Sequence, residues 1–442
     1  MLRMLGPFSI GVIALISTNL VDLFFLARLT DPDNPALAQM VIAAIGMALP
    51  ISFFANSANI GLGAGTMSAV SRALGQGDFE KSRRHAAAAI LLGLFAMSIL
   101  VSIMLLIIPF VLSIMGQTED VQSMARQYLF IVMPGLILVS VSSISNNILR
   151  AAGEALLPSS ILIMGALINV ILNPFLIYGI GPFPRMELQG AALSTFIGHG
   201  CGAAYGFYVV FFHRKAIDFA AMTFRSLRRA WIIIGQVGIP AVGTNVIVPL
   251  STWLAFTIIG NVLSEADFSS FTIATRAELI SLALLYALSA CIGAITGRNG
   301  GAGKTDRVRE AFRVSYLICV IWSTLMAIIL AVFAYEIAHF FAPQDHLVTK
   351  AIPYFYIVPI TIFAYGFVFI SAAGLNAIGR PLFGLTYTII RSLICYVGFI
   401  AIGVMTAGLN GAFIGIAAAN ILSGLIAIYW TLNKAPMTAK ES

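Results

Sequence analysis

Charge is what this 442-residue chain has least of: 10% of residues are Asp, Glu, Lys or Arg, against 60% hydrophobic. Soluble domains carry about 25% charged residues. So little polar surface could not clothe a water-soluble globule of this length, which excludes the soluble classes. Cysteine is scarce too. Cys201, Cys291, Cys319 and Cys395 all lie inside apolar stretches without metal-ligand spacing, and read as buried small hydrophobes rather than as a disulfide frame or a metal site. Paired catalytic acids are absent from the apolar stretches, which argues against an intramembrane enzyme. No metal or organic cofactor is expected beyond a coupling ion.

What is present is a series of long apolar runs, each near the ~20 residues needed to cross a ~30 Å hydrocarbon core. Polar punctuation sets twelve spans near residues 4–28, 36–73, 83–115, 120–151, 156–181, 188–213, 230–261, 267–298, 308–341, 346–378, 382–407 and 409–433. The first run is too long for a signal peptide and lacks a small-residue cleavage site, so it is expected to be the first membrane helix. The fold class is an all-α polytopic membrane protein in a lipid bilayer.

The net charge of +7 would suit nucleic acid, but the basic residues sit in short loops between spans, so no nucleic-acid partner is expected. With the N-terminus placed in the cytoplasm, eighteen Lys and Arg fall on the inner side and four, Arg28, Arg126, Arg185 and Lys350, on the outer. The positive-inside rule then puts both termini in the cytoplasm of a cell with this protein in its inner membrane.

The chain also repeats itself. RALGQGDFEKSR at 72–83 is answered by RNGGAGKTDRVR at 298–309, and LRAAGEALLP from Leu149 by LNAIGRPLFG from Leu375, both at an offset of 226. A third match, LQGAA at 188 and LNGAF at 409, is offset by 221. Six helices per repeat is an even number, so both halves stand the same way up. Parallel halves leave a cleft between them, where transporters bind substrate. The expected organisation is an N-terminal lobe at 1–213, a basic cytoplasmic linker at 214–229 and a C-terminal lobe at 230–442. GGAGKT at 300–305 imitates a phosphate-binding loop, but Arg298 stands where that motif needs glycine and no strand precedes it. A tight inter-helix turn is the expected role.

These repeats, with GLGAGTMSAVSRALGQGD (61–78), the stretch from Leu149 through ILNPFLIYGIG to 181, TRAELIS (275–281) and LNAIGRP (375–381), resemble the multidrug and toxic compound extrusion (MATE) transporters. The family lies within the multidrug/oligosaccharidyl-lipid/polysaccharide flippase superfamily. The resemblance covers nearly the whole chain and implies two six-helix lobes. It also implies antiport of amphipathic, often cationic drugs, in exchange for H⁺ or Na⁺. In place of the family's usual fifth-helix aspartate before proline, this chain has Asn173, four residues after Asn169.

The candidate coupling group is Asp22, the single acid of the first span. A carboxylate in hydrocarbon costs ~2.5–3.5 kcal/mol on insertion scales and is functional by default, so it is expected to take a proton or Na⁺ as its companion, or to be a structural acid pinned by Asn169 or Asn173. Counting residues puts Asp22 and Asn173 at matching depth, ~10 Å from the expected outer ends of their helices. Asn169 lies one turn from Asn173, and Asn19 and Thr18 about one turn from Asp22. Carboxylate, amide and hydroxyl oxygens together suit a proton or, with Asp22 as the metal ligand, Na⁺.

Glu278 is a candidate for drawing a cationic drug into the cleft or for pairing with Arg391. Met40, Phe53, Phe54 and Tyr365 are candidates for lining that cleft. Pro7 is a candidate bend in the first helix, against a static kink. His199 is expected to be packed and hydrogen-bonded rather than to carry protons. A lipid-linked sugar flippase is the alternative within the superfamily, though few basic residues lie deep in the spans to meet a pyrophosphate. A monomer is expected.

Overall fold

The computed structural model describes residues 2–29, 37–115, 117–220, 222–341 and 344–439, with the side chains of 2–4, 12, 15, 16, 19, 20, 276–280 and 283 left outside. Among the described residues the structure is helical and has no strand. The first half runs α1 (Leu2–Leu26), α2 (Leu37–Gly75), α3 (Phe79–Ile114), α4 (Glu119–Ala151), α5 (Leu156–Tyr178) and α6 (Glu187–Tyr208), which ends in a π turn, Val209–His213. The second runs α7 (Phe224–Val262), α8 (Glu265–Gly301), α9 (Thr305–Val332), α10 (Ala334–Phe341), α11 (Asp345–Ile357), α12 (Ile362–Ala377), α13 (Pro381–Thr388) and α14 (Val397–Asn433). Among the described residues, nine helical stretches are long and apolar enough to cross a membrane. The chain is a polytopic membrane protein with twelve helical spans in two lobes.

The spans are less continuous than their composition suggests. The ninth breaks at Phe333 into α9 and α10, and the tenth at a 3-10 turn, Pro359–Thr361, into α11 and α12. Proline removes a backbone donor and stops the preceding helix. Ser323 of α9 repairs the break, donating to Pro359 O at 2.8 Å and accepting from Phe363 N at 3.0 Å. The eleventh span is α13, a π segment (Ile389–Tyr396) and the first arm of α14. It meets the twelfth at Ala407 and Gly408, where Gly408 takes φ 60° and the helix turns back on itself. Gly403 and Gly411 then face each other so closely that a Cβ on either would strike the other's backbone.

The sequence repeat is also a conformational repeat. Gly77 and Gly303, 226 apart, have φ of 78° and 71°, and Gly153 and Gly379, again 226 apart, have 88° and 80°. Each pair occupies the left-handed region that glycine reaches without steric cost. GGAGKT is thus the end of α8 and its turn into α9, with no strand before it. In the matching loop of the first half, Asp78 caps α3 by accepting from Lys81 N at 2.9 Å.

The chain divides into two compact units, Leu2–Leu74 with Asp78–Val242, and Gly243–Ser442 with Gly75–Gly77. The division between these units falls inside α7. The first half of α7 is tied into the first unit by Trp231, whose Nε1 donates to Ala88 O at 3.0 Å and whose ring stacks on Phe95. The segment before α7 is tied there as well, through Arg214 to Glu154 at 2.6 Å and buried Ile217. The first unit's core includes Val41, Met97, Leu129 and Ile177; the second's includes Phe271, Tyr354 and Phe413.

Candidate functional site

Along most of its length, α1 lies against α5. Ser159 of α5 donates to Pro7 O at 2.6 Å near one end of the contact, and Tyr178 donates to Phe25 O at 2.7 Å near the other. Between those pins stands Asp22. Helix α6 closes the third side because glycine lets it approach: a Cβ on Gly198 would lie 2.7 Å from Gly165 O and 3.3 Å from Asn169 Cβ.

A connected polar network fills this junction. Asn173 Nδ2 donates to Asp22 Oδ1 at 2.5 Å and is 3.3 Å from Asn169 Oδ1. Asn173 Oδ1 accepts from Ser194 Oγ at 2.5 Å. Asn169 Nδ2 reaches Thr195 Oγ1 at 3.0 Å and Ser194 Oγ at 3.4 Å, and Thr195 Oγ1 stands 3.5 Å from Asp22 Oδ2. Asn169 and Asn173 are buried and Asp22 half-buried.

The Thr195 hydroxyl has one hydrogen and two acceptors, Asp22 Oδ2 and Ala191 O at 2.9 Å. With Asp22 ionised, that hydrogen can turn toward the carboxylate. With Asp22 protonated, the carboxyl donates to Thr195 Oγ1 and the hydroxyl hydrogen serves Ala191 O. Each state thus has a partner within a small closing of the 3.5 Å gap, which matters where an unpaired polar group costs about 1–3 kcal/mol. Asn173 turns its N–H toward Asp22, and no group of three or more His, Cys, Asp or Glu placed to hold a metal occurs among the described residues.

The structure thus brings together Asp22 and Asn173, the residues matched by depth in the sequence, with Asn169 one turn away. Thr18 does not join them: its hydroxyl donates back along α1 to Ala14 O at 3.0 Å. The side chain of Asn19 lies outside the described residues, as do those of Arg276 and Glu278. Ser194 and Thr195 were not picked out from the sequence. Their signal is the Ser–Thr pair in LQGAALSTFIG, legible only once α6 is known to face α5. Of the candidate cleft residues, Met40 packs partly buried on the first unit's core, while Phe53 and Phe54 are about half exposed, at 49% and 51%. Tyr365 is buried in the second unit beneath the Arg391 guanidinium, 3.6 Å from the ring centroid. Pro7 lies within α1, its carbonyl held by Ser159. His199 is packed as expected, but its Nδ1 has no hydrogen-bond partner.

Comparison with known proteins gives a concordant result. A family model described as MatE matches residues 7–175 and 240–402, one stretch in each half. Over 429 residues, 97% of this chain and 93% of the other, the sequence is 28% identical to a protein of Shewanella oneidensis named FAD transporter. It is 22% identical to a probable multidrug resistance protein NorM of Thermotoga maritima, covering 89% of this chain and 84% of that one. A crystal structure of the Vibrio cholerae MATE transporter VcmN superposes with a TM-score of 0.91 at 23% identity, covering 99% and 97% of the two chains. At that identity the likeness is one of fold.

Proposed function

This chain belongs to the MatE family of membrane transporters, and from that premise we propose that it is a secondary active exporter that moves amphipathic organic compounds outward in exchange for a cation taken up at Asp22. The observation that carries the proposal is the hydrogen-bonded junction of Asp22 with Asn173, Asn169, Ser194 and Thr195. An acid inside a membrane helix, surrounded by groups that satisfy it in either protonation state, is suited to take a proton on one side and give it up on the other. The donors aimed at Asp22 favour H⁺ over Na⁺. The reading also holds that both termini are cytoplasmic, that the protein works as a monomer in the cell membrane, and that its 1–213 and 230–442 halves act as two lobes about a central cleft.

The substrate class favoured by the resemblance is the amphipathic cation. A second reading, an anionic dinucleotide such as FAD, is favoured by the relative of that name, which matches 97% of this chain. The test is accumulation of a cationic dye, and separately of FAD, in everted membrane vesicles with pH and Na⁺ gradients imposed one at a time. Accumulation driven by the pH gradient alone supports the proton reading, and accumulation driven by Na⁺ alone transfers the role to sodium. If neither gradient moves either compound above the level of vesicles lacking the protein, the exchange reading fails.

A further inference from the structure

Arg391 is a cation set into the second unit where architecture does not require one. It is 5% exposed, within the π segment Ile389–Tyr396. Its guanidinium lies 3.6 Å from the ring centroid of Tyr365 and 5.2 Å from that of Tyr396. Among the described residues its one hydrogen bond is from Nη2 to Asn420 Oδ1, at 3.2 Å, and Asn420 in turn donates to Thr361 Oγ1 at 3.2 Å. Nε has no hydrogen-bond partner, and no described acid forms an ion pair with this arginine.

The internal repeat shows what the fold alone needs here. The 226 offset maps Arg391 onto Gly165 and Thr361 onto Gly135, and the later 221 offset maps Asn420 onto His199. In the first half these positions pack closely without an arginine: a Cβ on Gly135 would lie 3.2 Å from His199 Nδ1, and one on Gly165 would lie 3.1 Å from the carbonyl oxygen of Gly198, the residue before His199. The first half therefore packs its fifth and sixth helices with no side chain where the second half buries a guanidinium. A buried charge without an ion-pair partner, as Arg391 is among the described residues, is expensive, and π segments inside helices are frequent at functional sites.

We propose that Arg391, braced by Tyr365 and Asn420, is an anion-recognition residue that receives the phosphate or carboxylate of an amphipathic, ring-bearing substrate. The guanidinium presents N–H donors in a planar fork matched to an oxyanion, and the Tyr365 ring beneath it holds that fork in place by cation–π contact. This rests on the transporter reading and deepens it by naming the chemical group that the second half selects.

Flavin mononucleotide and riboflavin share one ring system and differ by a phosphate, so the ratio of their affinities isolates the proposed contact. Binding to purified protein is measured by flavin fluorescence in nanodiscs of zwitterionic lipid, which removes anionic headgroups as competitors. Wild type is expected to bind the phosphorylated form at least tenfold more tightly, Arg391→Gln to bring the ratio near one, and Arg391→Lys, which keeps the charge and loses the fork, to retain part of it. Should the glutamine variant fail to fold, a ratio reduced threefold or more in the lysine variant carries the test. A wild-type ratio near one overturns the proposal, as does an undiminished ratio in either variant. So does restoration of thermal stability by combining Arg391→Glu with Glu278→Arg, which would make Arg391 half of a structural ion pair. Gradient-driven dye accumulation by wild type alongside any of these failures leaves the transporter reading standing.

Discussion

Replacing Asp22 with asparagine removes one negative charge and keeps the shape of the side chain. In the native junction Asn173 Nδ2 donates to Asp22 Oδ1 at 2.5 Å, and an asparagine oxygen accepts the same bond, so α1 stays seated on α5. Hydrogen bonds to charged groups contribute about 1.5–3 kcal/mol and neutral ones about 0.5–1.5. The fold therefore loses on the order of 1 kcal/mol, partly offset because one charge fewer is buried. Coupling loses far more. One proton moving down 100 mV supplies ~2.3 kcal/mol, which at 1.4 kcal/mol per decade sustains a roughly fifty-fold concentration ratio. Without a group to carry the proton that ratio falls to one. The assay is dye accumulation in proteoliposomes holding equal amounts of folded wild type and Asp22→Asn, with membrane potential and pH gradient imposed. A variant that reaches the wild-type ratio refutes the assignment of coupling to Asp22. A variant that cannot be obtained folded shows the acid to be structural.

Other residues test the junction from different sides. Asn173→Ala strips a partner from both Asp22 Oδ1 and Asn169 Oδ1, at about 1–3 kcal/mol for each stranded group. Thermal unfolding should fall well below that of Ser194→Ala, since Asn173 and Asn169 remain bonded to one another there. Gly198→Ala puts a methyl group 2.7 Å from Gly165 O. Overpacking of this kind costs about 1–3 kcal/mol, and forcing α6 off α5 should lower dye accumulation through the Asn169 to Thr195 bond. Trp231→Phe keeps an aromatic ring beside Phe95 but loses the bond to Ala88 O, so a loss of about 0.5–1.5 kcal/mol is expected in denaturation with transport retained. Lys350→Ala breaks a partly exposed pair with Asp267 at 2.8 Å, and should change stability by no more than about 1 kcal/mol.

The helices were legible because lipid-length apolar runs have few other uses, and the loop repeat was legible because glycine was retained where the chain turns left-handed, at Gly77 and Gly303 and at Gly153 and Gly379. The depth match between Asp22 and Asn173 followed from counting along two helices. Other features depend on which helix faces which. Ser194 and Thr195 enter the network because Gly165 and Gly198 let α6 come close. Thr18 stays out because a helical threonine has a carbonyl one turn back to bond, and its hydroxyl donates to Ala14 O. The breaks at Phe333 and Pro359 were hidden because composition stays apolar across them. Tyr365 was read as a cleft residue from its type alone, and type does not reveal that a guanidinium covers its ring.

The two halves keep a common frame and differ in the charges set into it. α1 holds Asp22, whereas α7, the first helix of the second repeat, contains no Asp or Glu along Phe224–Val262. Conversely α5 offers Gly165 where the second repeat offers Arg391. Neither charge is needed to build six helices, because the other half builds six without it. On the proposed reading, a duplicated scaffold that places an acid in one copy and a guanidinium in the other divides its work: a proton carrier satisfied by hydroxyls and amides in the first, an oxyanion receiver braced by an aromatic ring in the second. On this division, Asp22→Asn should abolish gradient-driven accumulation of every substrate alike, while Arg391→Gln should discriminate among substrates by their charge. If Asp22→Asn proves selective for one substrate class, or Arg391→Gln abolishes the movement of cationic and anionic compounds equally, the work is not divided between the copies in this way.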